Sequence, residues 1–262
     1  MRAVDLDALA DELSLARVAG TVIEAPSSRT SDFSIADGYS VGRLLHDRRI
    51  ASGDVPAGLK LGFTNKTIWA GLGLDSPFWS PIYQDTLLDA GVVSVDGFVA
   101  PRIEPEIVLG FGADLDAGAS RDEIAAAVEW AALGFEVVHC HFAAWRMAPA
   151  DAIADGGLHG ALVVGDRVRV NASDADRLDE MTVSLFRQDE MVERGTGAAA
   201  LGGPTDAIAW LLRLPGVEAL ASGAIVTTGT LTTAMAIAHG ETWRVEADGP
   251  ITLGQLEVTF AS

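Results

Sequence analysis

Apolar residues recur at helical spacing through the first fifty or so positions, then give way to short β-like runs punctuated by Gly, Pro and Asp. Leu6 to Ala19 predicts an amphipathic helix whose apolar positions are interrupted by Asp7, Asp11 and Glu12. Ser34 to Ile50 predicts another, with Ile35, Val41, Leu44 and Leu45 on one side and Ser31 and Asp32 as candidate N-caps. From Gly91 onward, strands are expected at Val92 to Val99, Ile103 to Phe111, Phe135 to Phe142 and Ala161 to Val170. Further strands are expected at Met181 to Arg187, Ala224 to Thr228, Trp243 to Ala247 and Ile251 to Phe260. Two helices interrupt them. Ser120-Arg121-Asp122-Glu123 has the form of a capping box, with Gly134 as the stop after Leu133. The other helix runs over Asp206 to Leu214, between Pro204-Thr205 and Pro215-Gly216. Runs of strands with a few segregated helices predict an α+β fold, with a helical N-terminal subdomain over residues 1–80 and a β-rich catalytic part over 81–262.

Charge narrows the function. With 18 Lys+Arg against 37 Asp+Glu the chain carries a formal −19, which excludes nucleic acid and anionic membrane surfaces as partners, since both are held by clustered cations. The 49% of hydrophobic residues is ample for a packed core, unlike a disordered acidic segment. Cys140 is the single cysteine, so no internal disulfide can form, and a reducing, cytoplasmic setting is expected. The acids near the N-terminus leave no signal-peptide core. Ala219 to Gly240 lacks charged residues, but its five threonines and its glycines read as a buried strand running into a polar loop.

Several familiar motifs fail. Gly38-Tyr39-Ser40-Val41-Gly42 matches G-x-S-x-G but lies in a helical pattern with no strand before the serine. Gly110-Phe111-Gly112 is followed by Leu115 where a dinucleotide fingerprint needs glycine, and no phosphate-binding G-x-x-x-x-G-K-[ST] or H-E-x-x-H is present.

Acids in the β-rich part carry more information. Glu104 and Glu106 stand at i and i+2 in Arg102-Ile103-Glu104-Pro105-Glu106-Ile107, so a strand points both to one face. An edge strand, where proline and outward charge are tolerated, accounts for the same residues. Glu136, in the apolar run Leu133-Gly134-Phe135-Glu136-Val137-Val138, needs a cation or donors if buried, and a half-exposed strand position if not. Three convergent carboxylates call for a hard divalent ion such as Mg²⁺. Lys60, in Gly58-Leu59-Lys60-Leu61-Gly62-Phe63-Thr64, is either a solvent-facing strand lysine or a cation set to hold a substrate carboxylate or relay a proton.

These segments resemble the 2-keto-4-pentenoate hydratase / 4-oxalocrotonate decarboxylase family, within the fumarylacetoacetate hydrolase superfamily. The resemblance rests on Gly58 to Thr64, Glu104-Pro105-Glu106-Ile107, Glu136, Asp151-Ala152-Ile153-Ala154-Asp155 and Thr228-Gly229-Thr230, which follow the family order along nearly the whole chain. It implies a fumarylacetoacetase-like mixed β-roll behind a small helical N-terminal region. It also implies Mg²⁺ or Mn²⁺ held by Glu104, Glu106 and Glu136, and a small 2-oxo or 2-hydroxydienoic acid substrate that chelates the metal. Lys60 and Asp85 would then serve in positioning and proton transfer, and Gly229 and Thr230 in carboxylate binding. The implied activity is hydration of a 2-hydroxy-2,4-dienoate, with decarboxylation of an oxalocrotonate as the alternative, in a homo-oligomer or in complex with a paralogue.

Two departures bear on the pocket. The family commonly has Asp-Ser-Arg where this chain has His139-Cys140-His141, and Asp-Asn-Ala-Ser where it has Asp155-Gly156-Gly157-Leu158. His139 and His141 become candidate substrate contacts, or, with His159, ligands of a hydrolytic zinc site. As a general base either would suit C–C hydrolysis of an acylpyruvate. A drifted pocket also leaves room for a catalytically silent partner of an active paralogue.

Overall fold

The computed structural model describes residues 5–261. Helix α1 spans Leu6–Ala19: the Asp5 side chain accepts the Ala8 amide at its start, and Gly20, at φ 59°, closes it in the left-handed conformation that glycine adopts without strain. Helix α2 spans Ile35–Ser52 and opens with a capping box of Ser34 and Asp37, a few residues beyond the caps expected at Ser31 and Asp32. Leu9, Leu13 and Val41 from these helices share a buried cluster with Cys140 and Phe142.

Strands follow earlier than the hydrophobic pattern placed them: β1 is Pro56–Gly62 and β2 Phe78–Tyr83. The long N-terminal helices therefore end at Ser52, one further short helix, Trp69–Leu72, lies between β1 and β2, and residue 80 falls inside β2. Strand β1 was hard to read because its glycines break the alternation. One of them, Gly58, lies so close to the Ile225 carbonyl that any Cβ would overlap it. Next come β3 (Gly91–Ser94) and β4 (Arg102–Phe111). Helix α3, Arg121–Ala127, has the Ser120–Glu123 capping box but stops at Ala127. The stretch expected to continue it to Leu133 is strand β5, Val128–Val138. Alanines there suggest a helix. They serve instead a strand buried on both faces, where Ala131, Ala132 and Leu133 are inaccessible and a Cβ on Gly134 would overlap the Val108 side chain.

The rest comprises α4 (Pro149–Ala154), β6 (His159–Val164), β7 (Thr182–Arg187), β8 (Glu190–Thr196), α5 (Pro204–Leu211), β9 (Ile225–Thr227), β10 (Thr242–Asp248) and β11 (Gln255–Ala261). The main mixed sheet runs β2-β1-β9-β4-β5-β6, with the two-residue strand Leu87–Leu88 pairing parallel to β6 at its end and with β1 and β9 also parallel. A second sheet runs β8-β7-β10-β11-β3. Phe111, Phe135, Trp243 and Phe260 fill the core, each worth roughly 1.5–3 kcal/mol of burial. The chain thus has an α+β architecture of two sheets with a small helical N-terminal region. Among the described residues no helix is long and apolar enough to cross a membrane.

Strand β4 is central, not an edge. Pro105 is tolerated because the ladder on its β9 side is interrupted there: β9 pairs with Val108 to Gly110 and Met235–Ala236 with Arg102 and Ile103. Between them the 228–234 loop passes, and the Leu231 amide donates to the Pro105 carbonyl at 2.9 Å. The gap frees the Gly229 amide to turn toward a side chain.

Candidate metal centre

Register assembles the centre. Antiparallel pairing of β4 and β5 sets Glu104 opposite Glu136 and Glu106 opposite Gly134, where the Val108 side chain occupies the space a Cβ would take. Glu104 and Glu106 share a face, as the i, i+2 spacing requires. One carboxylate oxygen from each of Glu104, Glu106 and Glu136 lies within 4.8 Å of the others, and among the described residues this is the only His, Cys, Asp or Glu group with metal-holding geometry. Glu106 and Glu136 are fully buried.

Each acid is differently supported. Glu106 Oε2 accepts the Gly229 amide at 2.8 Å, while its Oε1 is buried with no partner. Glu136 Oε2 pairs with Lys60 Nζ at 2.9 Å, and its Oε1 lies 2.8 Å from His159 Nδ1. Lys60 is itself buried and donates to the Gly157 carbonyl at 3.0 Å, so it is not a solvent-facing lysine. Burial, with Glu136 adding repulsion against the attraction of Lys60, pushes Glu104 up to about 7. Burial together with Glu136 and Glu104 pushes Glu106 well above the usual carboxylate range. At Glu136 burial is outweighed by Lys60 and His159, which hold it below that range. Although burial disfavours its charge, Lys60 is held above its ordinary value, chiefly by Glu136 and Glu104.

Fully ionised, the three carboxylates would set three negative charges against the single ammonium of Lys60 in a desolvated space, and Glu106 Oε1 has no partner there. An all-oxygen donor set of that charge fits a hard divalent cation, Mg²⁺ or Mn²⁺, better than zinc.

A family model described as fumarylacetoacetate hydrolase C-terminal matches residues 83–261. The chain belongs to the fumarylacetoacetate hydrolase family. Within it, the chain is 31% identical over 227 residues to 2-keto-4-pentenoate hydratase 1 of Dechloromonas aromatica (strain RCB), covering 85% of this chain and 84% of that one. It is 30% identical over 243 residues to a 4-oxalocrotonate decarboxylase of Pseudomonas sp, covering 91% and 92%. Its backbone matches that of the 4-oxalocrotonate decarboxylase from Pseudomonas putida G7, solved with magnesium and adipate, with a TM-score of 0.91 and 26% identity over 99% of this chain and 100% of that one.

The other residues singled out in the sequence fall in different places on this fumarylacetoacetate hydrolase fold. Asp85 is exposed and forms a two-pronged pair with Arg49 at 2.7 and 2.8 Å, a surface ion pair with no contact to the carboxylates. Its neighbour Thr86 is the residue that reaches inward, with its hydroxyl 2.9 Å from His159 Nε2. Gly229 engages Glu106 through its backbone. The Thr230 hydroxyl is spent on the Thr232 carbonyl at 2.9 Å. His139 and His141 are buried against each other, ring centroids 4.6 Å apart, with Phe98 4.7 Å from His139 and Asp155 gripping His141 Nδ1 at 2.8 Å. Both ring nitrogens of His159 are engaged, so the three histidines do not offer a shared zinc ligand set. The sequence reading missed His159 as the support of Glu136, and Thr86 and Gly157 with it. The register of β5 against β6 sets His159 opposite Val138, two residues from Glu136, while Thr86 and Gly157 come from short turns outside that pairing.

Proposed function

We propose that the chain is a divalent-metal-dependent hydratase that adds water to a 2-hydroxy-2,4-dienoate through its 2-oxo acid form. The observation that carries this reading is the buried convergence of Glu104, Glu106 and Glu136 around a common point with Lys60 beside it. The likeness to relatives named 2-keto-4-pentenoate hydratase supports the substrate class.

Glu104, Glu106 and Glu136 would hold Mg²⁺ or Mn²⁺. When bound, the ion supplies Lewis-acid polarisation of the 2-oxo group. The chain's own residues do the rest. Gly229 and His159 fix the orientation of two of the ligand carboxylates. Lys60, kept protonated by Glu136 and Glu104, is the cation at hand to meet a substrate carboxylate or to move a proton at its Nζ. Burial of Lys60, Glu106 and Glu136 strengthens their electrostatic interactions by keeping bulk water from them.

A second reading, decarboxylation of a 4-oxalocrotonate, is favoured by the close backbone likeness to the Pseudomonas putida G7 enzyme. One assay set separates the two. Loss of the ultraviolet absorbance of 2-hydroxypenta-2,4-dienoate only in the presence of Mg²⁺ supports the hydratase, and CO₂ release from 4-oxalocrotonate supports the decarboxylase. Cleavage of an acylpyruvate makes the chain a C–C hydrolase. Inactivity on all three with intact Mn²⁺ binding makes it a silent partner and refutes the proposal.

A further inference from the structure

A cavity of about 800 Å³ opens between α1, α2 and the β1–β2 edge, closed at one end by the 219–224 turn. It is not the metal centre. Ser80, Gly156 and His159 form its wall on that side, and neither Lys60 nor any of the three metal-centre glutamates lines it.

The charges lining it run against the composition of the protein. Acids outnumber Lys and Arg 37 to 18 along the chain, yet Arg17, Arg43, Arg48 and Arg49 face this space and no Asp or Glu does. The acids that pair with these arginines stand outside the lining and hold them in place: Asp11 lies 3.0 Å from Arg48, and Asp85 2.7 Å from Arg49. Not all of the donor capacity is used. Arg48 Nη1 is buried without a partner, and the Arg43 guanidinium bonds only the Ser40 hydroxyl, at 3.0 Å, among the described residues. Between the cations the walls are apolar, with Val18, Leu45 and Leu59 beside the rings of Tyr39, Trp79 and Tyr83. Arg49 is stacked 3.8 Å from the Tyr83 ring centroid, with its Nε on Asp54 at 2.5 Å and its Nη2 on Asp85, so only its Nη1 is without a partner among the described residues.

A space of this size with apolar walls and a few convergent donors is the ordinary form of a small-molecule site. Guanidinium groups select carboxylate oxygens, and aromatic and aliphatic walls select an apolar body. We propose that this cavity binds a small organic carboxylate with an aliphatic or aromatic body, separately from the metal centre.

Octanoate is the probe, with octan-1-ol matching its body and sulfate its charge. Titrations of the full chain are followed by calorimetry and by tryptophan fluorescence, since Trp79 lines the cavity. Octanoate is expected to bind saturably at one site, with octan-1-ol and sulfate each weaker by about tenfold or more. Arg43→Gln and Arg48→Gln combined should weaken octanoate by about tenfold, each alone by less. Trp79→Phe should remove most of the fluorescence change while the heat of binding remains. Glu106→Gln should leave octanoate affinity unchanged, which keeps the result independent of whether the hydratase reading holds. The proposal is overturned if octanoate fails to saturate below about 10 mM, if octan-1-ol binds equally well, if the double arginine variant binds normally, or if Glu106→Gln abolishes binding.

Discussion

His159 Nδ1 lies 2.8 Å from Glu136 Oε1 while its Nε2 lies 2.9 Å from the Thr86 hydroxyl. A carboxylate can only accept, so Nδ1 carries the proton, and Nε2 faces a Thr86 hydroxyl whose single proton also has the Tyr83 carbonyl in reach at 2.8 Å. Burial pushes the ring's pKa down despite Glu136, so it stays neutral and acts as a directional clamp. Such a clamp on a metal-ligand carboxylate is worth ten- to a hundredfold in metal affinity, about 1.4–2.7 kcal/mol. His159→Ala is expected to weaken Mn²⁺ binding by that factor in calorimetry, and unchanged Mn²⁺ affinity would show that Glu136 needs no such support.

Glu106→Gln removes one negative charge at nearly constant volume, and the amide oxygen can still accept from Gly229. Turnover is expected to fall by about a thousandfold or more, since several kcal/mol of charge stabilisation is lost with the metal. Thermal unfolding of the metal-free protein should occur no lower than in wild type, because a buried, repelled carboxylate has gone. Wild-type activity in this variant would dismiss the metal assignment.

Lys60 is the cation paired with the acid cluster, through Glu136 at 2.9 Å. Lys60→Met should destabilise the metal-free protein by roughly 3–5 kcal/mol, the usual effect of stripping a buried charge of its partner. Saturating Mg²⁺ should close most of that gap, because the ion replaces the lost positive charge. Turnover should stay low even with Mn²⁺ bound. A variant whose melting temperature trails wild type equally with and without Mg²⁺ would mean that Lys60 is a packing element only.

How much of this was legible beforehand depended on whether spacing or pairing carried the signal. Glu104 and Glu106 declare a common face by their i, i+2 spacing, but their strand's central place depends on which loop passes Pro105, and that is a long-range fact. Glu136 could be suspected from its apolar neighbours, yet its strand began as a false helix because Ala131 and Ala132 satisfy helical propensity and central-strand packing alike. The alternation around Lys60 admits two roles, and its burial decides against the solvent-facing one. Asp85 looked chemically apt and points to solvent, while Thr86 beside it, a commonplace residue, reaches the centre. His159, at the start of an apolar strand, has no local feature that distinguishes a clamp from a core histidine.

Gly229 sits at φ 106° with its amide on Glu106, and a Cβ there would overlap the Thr64 hydroxyl. Gly229→Ala should therefore cost roughly 1–3 kcal/mol of stability and swing the amide off the carboxylate. The expected signature is a lowered melting temperature together with weakened Mn²⁺ binding. Thr64→Ala in the same chain should restore part of the melting temperature by opening space, while the strained φ remains. Failure of that pair to restore any stability would place the strain elsewhere.

His139 tests the interior by pH. Burial, with Arg17 and His141 adding repulsion, pushes its pKa from 6.5 down to about 2, and its Nε2 is buried without a partner. Below the unfolded value the unfolded chain takes up a proton that the folded one refuses, so this residue's contribution to stability is complete above about pH 6.5 and is lost progressively as the pH falls. Glu104 and Glu106, with raised values, act in the opposite direction, but equally in wild type and in a His139 variant. His139→Phe keeps a ring against Phe98 and removes the titration. Relative to wild type it should gain about 1.4 kcal/mol per pH unit below 6.5, or about 2 kcal/mol by pH 5, in urea unfolding. Parallel stability curves for the two proteins would mean that His139 is protonated in the folded state.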